Sequence, residues 1–549
     1  MTSLGKYNQY FYKIERWLFY LIIITMPVTA LPKRYPIPNI MRNVPQFLLM
    51  VALTLAIFYF FKNYRLKGKI SKQYRVYFSI CFVWPILCTT IGFLTFPYWN
   101  AGTDDYLRNT YLIQKIAYIY PDILNNAFLL HLKYGIFLIR ETIFRFLMPL
   151  LGIPFIFWIA FKDKGNAYIL HTLSQMALLV SGALAAYSLI ETVWLLTDNQ
   201  FLAGVLKSLY TCIWDPGTDK DHWWPMLLWK GRLRSFYGEP GHFGVMAMFI
   251  LPFLWYRVFE LKKKGTALLL LFFAFMIFMT HSRTALAVFC GEVLILLIIS
   301  ILAKYPEWKQ YIVQVLLASL LSFGLYVFAP VGVSLFSNVY YSFASGTSST
   351  QVEKKQDNVN EKSQSKLKQP QSNQVEQTKK DISSITSTKE RSNGSRLGNL
   401  VAKLNVARQH PLFGVGTSLE SRYMVDNIPD FAKSNSEIKS WTRMTLQEFG
   451  KGSGFASINE YAVVLVEYGV IGLLLYLIPL VYLFIIVFKY KSLLLKKFST
   501  VCIVVAVCGQ AACQLGTGLW LTYPTSLAIA YCIIFNDLNT IKNKGLKRE

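Results

Sequence analysis

Two short segments of this chain gather the residue types that handle anions and protons. Gly231 to Gly244 reads GRLRSFYGEPGHFG, and Thr280 to Thr284 reads THSRT. Arg232 and Arg234 stand two apart, on the same side of an extended segment. Glu239 precedes Pro240, which disfavours helical geometry at the glutamate and holds it at the start of the apolar run that follows. Arg283 offers a planar fork suited to phosphate oxygens, and Ser282, next to His281, is placed to cap a helix. Charge at the mouth of a membrane span is costly and marks function. Guanidinium groups held around a departing diphosphate would stabilise the charge that develops as its bond breaks, and Glu239 and His242 are the nearest titratable groups able to take a proton from an attacking hydroxyl.

The same residues have plain structural uses. Arginines at span ends anchor to lipid headgroups, His281 can cap a helix, His242 can sit at the interface, and Glu239 can pair with Arg234. The clustering of arginines with Glu239 weighs towards function. Asp219, Asp221 and His222 imitate a magnesium or manganese site, but so short a pattern arises easily in a polar loop and reads as solvated chain ahead of interfacial Trp223 and Trp224. No metal or other cofactor is expected. His131, His171 and His410 have no partner visible in the sequence.

The elements that must position these groups are membrane helices. Of 549 residues 54% are hydrophobic and only 16% charged, too much apolar material for one soluble core, and it falls in runs long enough to cross a bilayer. Spans are expected near 17–31, 46–61, 77–97, 143–161, 168–196, 243–258, 266–280, 284–303, 311–335, 462–488, 499–516 and 518–536. The fold class is therefore all-α and polytopic, with about twelve crossings by the usual length of roughly 20 residues. The first run follows a basic N-terminus without a small-x-small cleavage site, so it reads as a retained helix. Seven of eight cysteines lie inside apolar runs, leaving Cys212 for a loop, and no disulfide framework or zinc spacing is present.

The net charge of +26 suggests nucleic acid until its location is considered. Lys62 to Arg75 carries six basic residues and no acid, and Arg257 to Lys264, Lys489 to Lys497 and the tail KNKGLKRE are also basic. These connections face the cytoplasm by the positive-inside rule, with both termini inside, and no nucleic acid partner is expected. The outward connections are then 98–142, 197–242 and 337–457. Within the last, 346–395 is rich in Gln, Ser, Lys, Asn and Thr and reads as a disordered insertion, while 397–455 regains apolar and aromatic residues and is expected to form a helical cap between the N-terminal spans (1–336) and the C-terminal ones (458–549). The spans beginning near 243, 284 and 462 run inward, so their positive N-terminal ends, with Ser457, Asn459 and Glu460 at the last, could make one anion-binding vestibule.

In the order of its elements the chain resembles the O-antigen polymerase and ligase superfamily of Wzy-type polysaccharide polymerases. The resemblance rests on SFYGEPGHFG and HSRTALAVF entering spans, HPLFGVGTSLESRY in the large outer loop, and INEYAVVLVEYGVIGLLLYL opening the tenth span, and it covers about two-thirds of the chain. It implies a GT-C-like arrangement with a large extracytoplasmic cap in a bacterial plasma membrane. The implied activity joins oligosaccharide repeat units carried on undecaprenyl diphosphate, without a metal, into an O-antigen, capsule or exopolysaccharide, alongside membrane lipids, a flippase and a chain-length regulator. Arg232 or Arg234, with Arg283, would match the family's diphosphate-binding arginines. His410, Pro411, Gly414 and Gly416 match the outer-loop pattern, whose glycines permit a tight turn, and Asn459, Gly469 and Gly472 match the pattern that follows. Lipopolysaccharide-type ligases carry histidine immediately before that asparagine, where this chain has Ile458, which favours a polymerase and leaves the base open. A flippase or exporter should instead show related halves and mid-membrane ionisable residues, a scaffold would tolerate loss of the arginines, and a peptidoglycan-type polymerase would lack the HPLFGVG match. No P-loop pattern is apparent.

Overall fold

A computed structural model describes residues 3–28, 31–62, 72–99, 107–108, 111–122, 127–214, 228, 231–303, 306–328, 391–447 and 454–545. Among them every regular element is helical. In chain order these are α1 (Ser3–Thr25), α2 (Val44–Lys62), α3 (Lys72–Leu94), α4 (Ala127–Glu141), a π-helical stretch (Thr142–Gly152) leading into α5 (Ile153–Phe161), α6 (Asn166–Thr197), α7 (Gln200–Ile213), α8 (Pro240–Phe259), α9 (Gly265–Met279), α10 (Arg283–Ala303) and α11 (Pro306–Phe328). The cap helices α12 (Arg391–Gln409), α13 (Glu420–Asp426) and α14 (Ser436–Gln447) follow, then α15 (Glu460–Lys489), α16 (Phe498–Cys513) and α17 (Thr522–Gly545).

Among the described residues a helix overlaps each expected span, although the first ends at Thr25 and 329–335, the end of the ninth expected span, lies outside the described residues. Among the described residues seven are long and apolar enough to cross a membrane: Val44–Lys62, Arg75–Leu94, Phe128–Phe161, Asn166–Thr197, Pro240–Phe259, Arg283–Ile301 and Glu460–Lys489. Gly265–Met279, Gln310–Tyr326 and Phe498–Cys513 are shorter apolar helices. This is a multi-pass membrane protein.

Several boundaries differ from those read off hydropathy, each for a tertiary reason. The first helix starts at Ser3, not near residue 17, because Arg16 is satisfied by the Ala160 carbonyl and Asp163 at 3.0 and 2.9 Å. The expected loop 98–142 is in its second half helix, running unbroken into the fourth span. Pro149, which has no N–H to give, sits in the widened π-helical turns. Cys212 lies in α7, not a loop. The cap begins at Arg391, inside the stretch read as disordered, because Ser395 is buried and donates to Glu437 of α14. The remainder of that insertion, 346–390, lies outside the described residues, as do Asp219, Asp221 and His222.

The centre of the bundle is α8, buried along nearly its whole length and packed on α16 and α10. The cap has a second core of its own, built from Ala402, Val406, Leu419, Tyr423 and Ile438 and shared with Leu130 and Leu138 of α4. Between the two cores the segment 410–416 is pressed against α15. Val415 and Gly416 donate to the carbonyls of Val466 and Glu467 at 2.8 and 2.9 Å, and Val470 donates to the carbonyl of Pro411 at 2.8 Å. Glycine is required at the crossing: Gly469 has φ 69° and ψ −173°, and a Cβ there would lie 2.0 Å from the Leu412 carbonyl oxygen.

Candidate functional site

Three helix N-termini meet at one end of the bundle. A side chain added at Gly241, in the first turn of α8, would reach Ser282 Oγ at 3.6 Å, and one at Gly244 would strike Ala285 Cβ, so α8 and α10 begin side by side. The turn between α16 and α17 joins them to α15: Gly516 faces Thr284 of α10, while the Glu460 N–H donates to the carbonyls of Gln514 and Thr517. Asn459, at φ 64°, caps α15 by accepting from the Ala462 N–H at 3.2 Å, and Ser282 caps α10 through the Ala285 N–H at 3.3 Å. The partial positive ends of all three helices therefore face one region.

Three arginines surround that region. Leu233 donates its N–H to the carbonyl of Met279 at 2.9 Å, laying the Arg232 segment beside the end of α9 and so beside His281 and Arg283. Arg232 lies within electrostatic reach of both Arg283 and Arg396, the latter from cap helix α12; its pKa is lowered by loss of solvent and then by those two cations. All three side chains are exposed, and none has a carboxylate partner among the described residues; Arg283 donates to Asn393 Oδ1 at 2.7 Å. Burial, then Arg232, pushes the His281 imidazole down to about 4, so it is neutral at physiological pH, with the Tyr326 hydroxyl 3.2 Å from Nδ1. Three cations without a carboxylate partner among the described residues, beside three helix N-termini, can hold an anion.

Arg234 is placed differently. It is buried, with its guanidinium carbon 4.0 Å from the Tyr210 ring centroid, and its backbone N–H and that of Ser235 donate to the Glu191 carboxylate. Glu191 belongs to α6, so this group ties the loop to the bundle. Glu239 does not reach Arg234 in an ion pair; it faces His242, 3.9 Å away, and His242 packs on Trp520 at 4.9 Å between ring centroids. His410 lies edge-on to Tyr423, its ring centroid 5.1 Å away, on the cap side of the loop.

A second charged group lies where the cap meets the bundle. Arg145, in the π-helical stretch, donates to Glu467 Oε1 at 3.4 Å and to Ser457 Oγ at 3.5 Å. Glu467 also accepts from the Ser418 N–H, and Glu460 Oε2 from the Leu519 N–H at 2.9 Å. Lys403 of α12 donates to the Ile458 carbonyl at 2.8 Å, and burial pushes its ammonium down to about 8. Glu420, Glu460 and Glu467 all lie within electrostatic reach of both Arg145 and Lys403. Leu519 precedes Trp520, so this group adjoins Glu239 and His242 through one turn. Among the described residues no set of three His, Cys, Asp or Glu side chains is gathered as a metal ion would need.

Residues 267–477 match the O-antigen ligase family. That stretch belongs with the O-antigen polymerase and ligase superfamily. No curated protein matches the chain. The superfamily match implies membrane glycosyl transfer of ligase or polymerase type on lipid-linked oligosaccharides. It takes in His281, Ser282, Arg283, Arg396, His410 and Asn459, whereas Arg145, Arg232, Arg234, Glu239 and His242 precede it.

Sequence reasoning passed over Arg396, Arg145, Lys403, Glu420 and Glu467. Arg145 and Glu467 carried a usable signal, each an ionisable residue inside an apolar run. Arg396, Lys403 and Glu420 did not: they lie in ordinary polar sequence, and only the docking of the cap brings them to the site.

Proposed function

We propose that the protein polymerises undecaprenyl-diphosphate-linked repeat units into a surface polysaccharide at the outer face of a bacterial plasma membrane. The observation that carries this reading is the set of three arginines without a carboxylate partner among the described residues, Arg232, Arg283 and Arg396, beside three convergent helix N-termini. A monoanion would leave such a cluster with excess positive charge, whereas a diphosphate offers several oxygens and matches the forked guanidinium geometry. As the bond from sugar to diphosphate breaks, charge builds on the departing oxygen, and fixed cations favour that state over the bound substrate. The basic connections at the opposite ends of α8 and α15, Arg257–Lys264 and Lys489–Lys497, support an outward site and cytoplasmic termini. His281 and Ser282 shape the rim, Arg234 holds the loop bearing Arg232, His410 and Asn459 hold the cap loop and the start of α15, and Glu239 and His242 are the half-buried titratable pair at the opening.

A ligase would use the same donor and the same arginines but deliver the glycan to a different acceptor. The test is the polysaccharide profile of cells lacking the protein, complemented at matched membrane abundance with wild type, Arg283→Ala or Arg396→Ala. The null strain should accumulate single repeat units on the carrier. Each variant should lose long chains, with transfer slowed by about two to three decades, the usual effect of removing one oriented electrostatic donor. Long polymer that persists in the null strain, or collects inside the cell, would refute polymerisation and favour ligation or export respectively.

A further inference from the structure

The junction between cap and bundle contains buried polar atoms that have no hydrogen-bond partner among the described residues. Glu420 is 6% exposed and its Oε2 has no hydrogen-bond partner; Asn399 is fully buried and its Oδ1 has none; Gln514 is 2% exposed and its Nε2 has none. The three come from different elements, α13, α12 and the turn after α16: Asn399 and the Gln514 backbone touch one stretch of chain, Glu420 lies within electrostatic reach of Lys403 beside it, and the Gln514 Oε1 accepts from the Tyr476 hydroxyl. Asn399 Nδ2 donates to the Ala456 carbonyl at 3.1 Å, Lys403 to the Ile458 carbonyl, and the Gln514 carbonyl accepts from the Glu460 N–H. Two open acceptors and one open donor suit hydroxyl groups, each of which both gives and receives a hydrogen bond.

The charge balance points the same way. Glu420, Glu460 and Glu467 lie within reach of two cations, Arg145 and Lys403, so the carboxyl groups outnumber the cations by one. Glu467 and Glu460 already accept backbone N–H bonds, so the open oxygen belongs to Glu420. The group is not sealed: the Arg145 side chain is 31% exposed and Ser457 is exposed, which gives a path inward. Helix α12 sets the distance to the arginines, since Arg396 and Lys403 lie seven residues apart on one face, about 10 Å at the helical rise. An arginine side chain and one sugar ring span that gap.

The geometry points to this junction as the site of the acceptor sugar, with Glu420 as the catalytic residue that takes the proton from its attacking hydroxyl. This rests on the glycosyl-transfer reading above. The acceptor O–H gives its proton to Glu420 Oε2, the freed oxygen forms the bond to the donor's anomeric carbon, and the bond from that carbon to the diphosphate breaks. The electron pair leaves with the carrier diphosphate, held by Arg232, Arg283 and Arg396. Asn399 Oδ1 and Gln514 Nε2 orient neighbouring hydroxyls.

The test uses full-length protein in nanodiscs with the carrier-linked repeat unit that accumulates in the null strain, following turnover against pH. Glu420→Gln should lower kcat by about 10²–10⁴, the usual contribution of general base catalysis, at unchanged thermal midpoint, and the acid limb of the wild-type profile should vanish from its residual rate. Glu420→Asp should restore part of the rate and the limb. Asn399→Ser, which keeps the base, should raise KM while leaving the limb in place. Full turnover in Glu420→Gln, an acid limb that survives in it, or unchanged kinetics in Asn399→Ser would overturn the assignment; loss of the limb in Glu239→Gln instead would move the base to the pair Glu239 and His242. Wild-type protein that makes no polymer from this substrate overturns the glycosyl-transfer reading itself, and the inference with it.

Discussion

Replacing Gly469 by alanine should detach the cap loop from the bundle. At φ 69° and ψ −173° the backbone occupies a region open essentially to glycine alone, and an alanine held there is strained by about 1–3 kcal/mol. The new Cβ would also lie 2.0 Å from the Leu412 carbonyl oxygen, 2.3 Å from its carbon and 2.8 Å from the Pro411 oxygen. None of these atoms belongs to a side chain that can swing away. Relief requires the 410–416 segment to retreat, and that gives up the bonds from Val415, Gly416 and Val470, each contributing about 0.5–1.5 kcal/mol. Strain and lost bonds together come to about 3–7 kcal/mol. The retreat also carries Ser418 away from Glu467 and shifts Glu420, which follows two residues later. Purified Gly469→Ala in nanodiscs should therefore melt well below wild type and fail to restore long polymer, measured beside Gly165→Ala, whose added Cβ meets nothing within 4 Å. A melting midpoint equal to that of the control would refute the claim that this crossing needs glycine.

Two further outcomes follow from buried groups. His281 titrates near 4 when folded and near 6.5 when unfolded, so below pH 6.5 the unfolded chain takes up a proton that the folded one refuses, and stability declines as pH falls towards 4. The thermal midpoint of His281→Asn should fall less than that of wild type across this window, and Arg232→Gln should raise the imidazole's pKa in a nuclear magnetic resonance titration; identical acid slopes would argue against both. Glu292 of α10 is buried against Gly509 of α16 with both carboxylate oxygens unpartnered, so Glu292→Met should stabilise the protein by about 1–3 kcal/mol, read as a raised melting midpoint. A lowered midpoint would mean that the carboxylate has a partner in the membrane.

Much of the bundle was legible because lipid enforces a simple rule: long apolar runs become helices, since no other local structure satisfies their backbone. Pro240 and Arg283 open their helices near the expected starts of spans, and Ser282 and Asn459 cap as their types suggest. Arg232 and Arg283 were legible as charge placed where charge is costly. Arg234 shows the limit of that signal. Two residues from Arg232 in the same extended loop, it turns inward to Tyr210 and Glu191, and spacing alone treats the two arginines alike. The glycines of HPLFGVG were read as a tight turn, which explains their positive φ but not the close approach to α15 that excludes a side chain there.

The sequence by itself determined a polytopic helical membrane protein, the approximate place of most of its apolar helices though not where the first and fourth begin, and the two segments that carry cations to the ends of spans. These follow from composition and local pattern, because burial in lipid and helix capping act over a few turns. Tertiary structure alone decided that Arg396 joins Arg232 and Arg283, that Arg145 meets Glu467, and that Glu420 is left with an open oxygen beside Lys403. Those pairings span up to hundreds of residues and depend on how the cap docks. Residues with no periodicity in common acquire a shared environment only when packing brings them there.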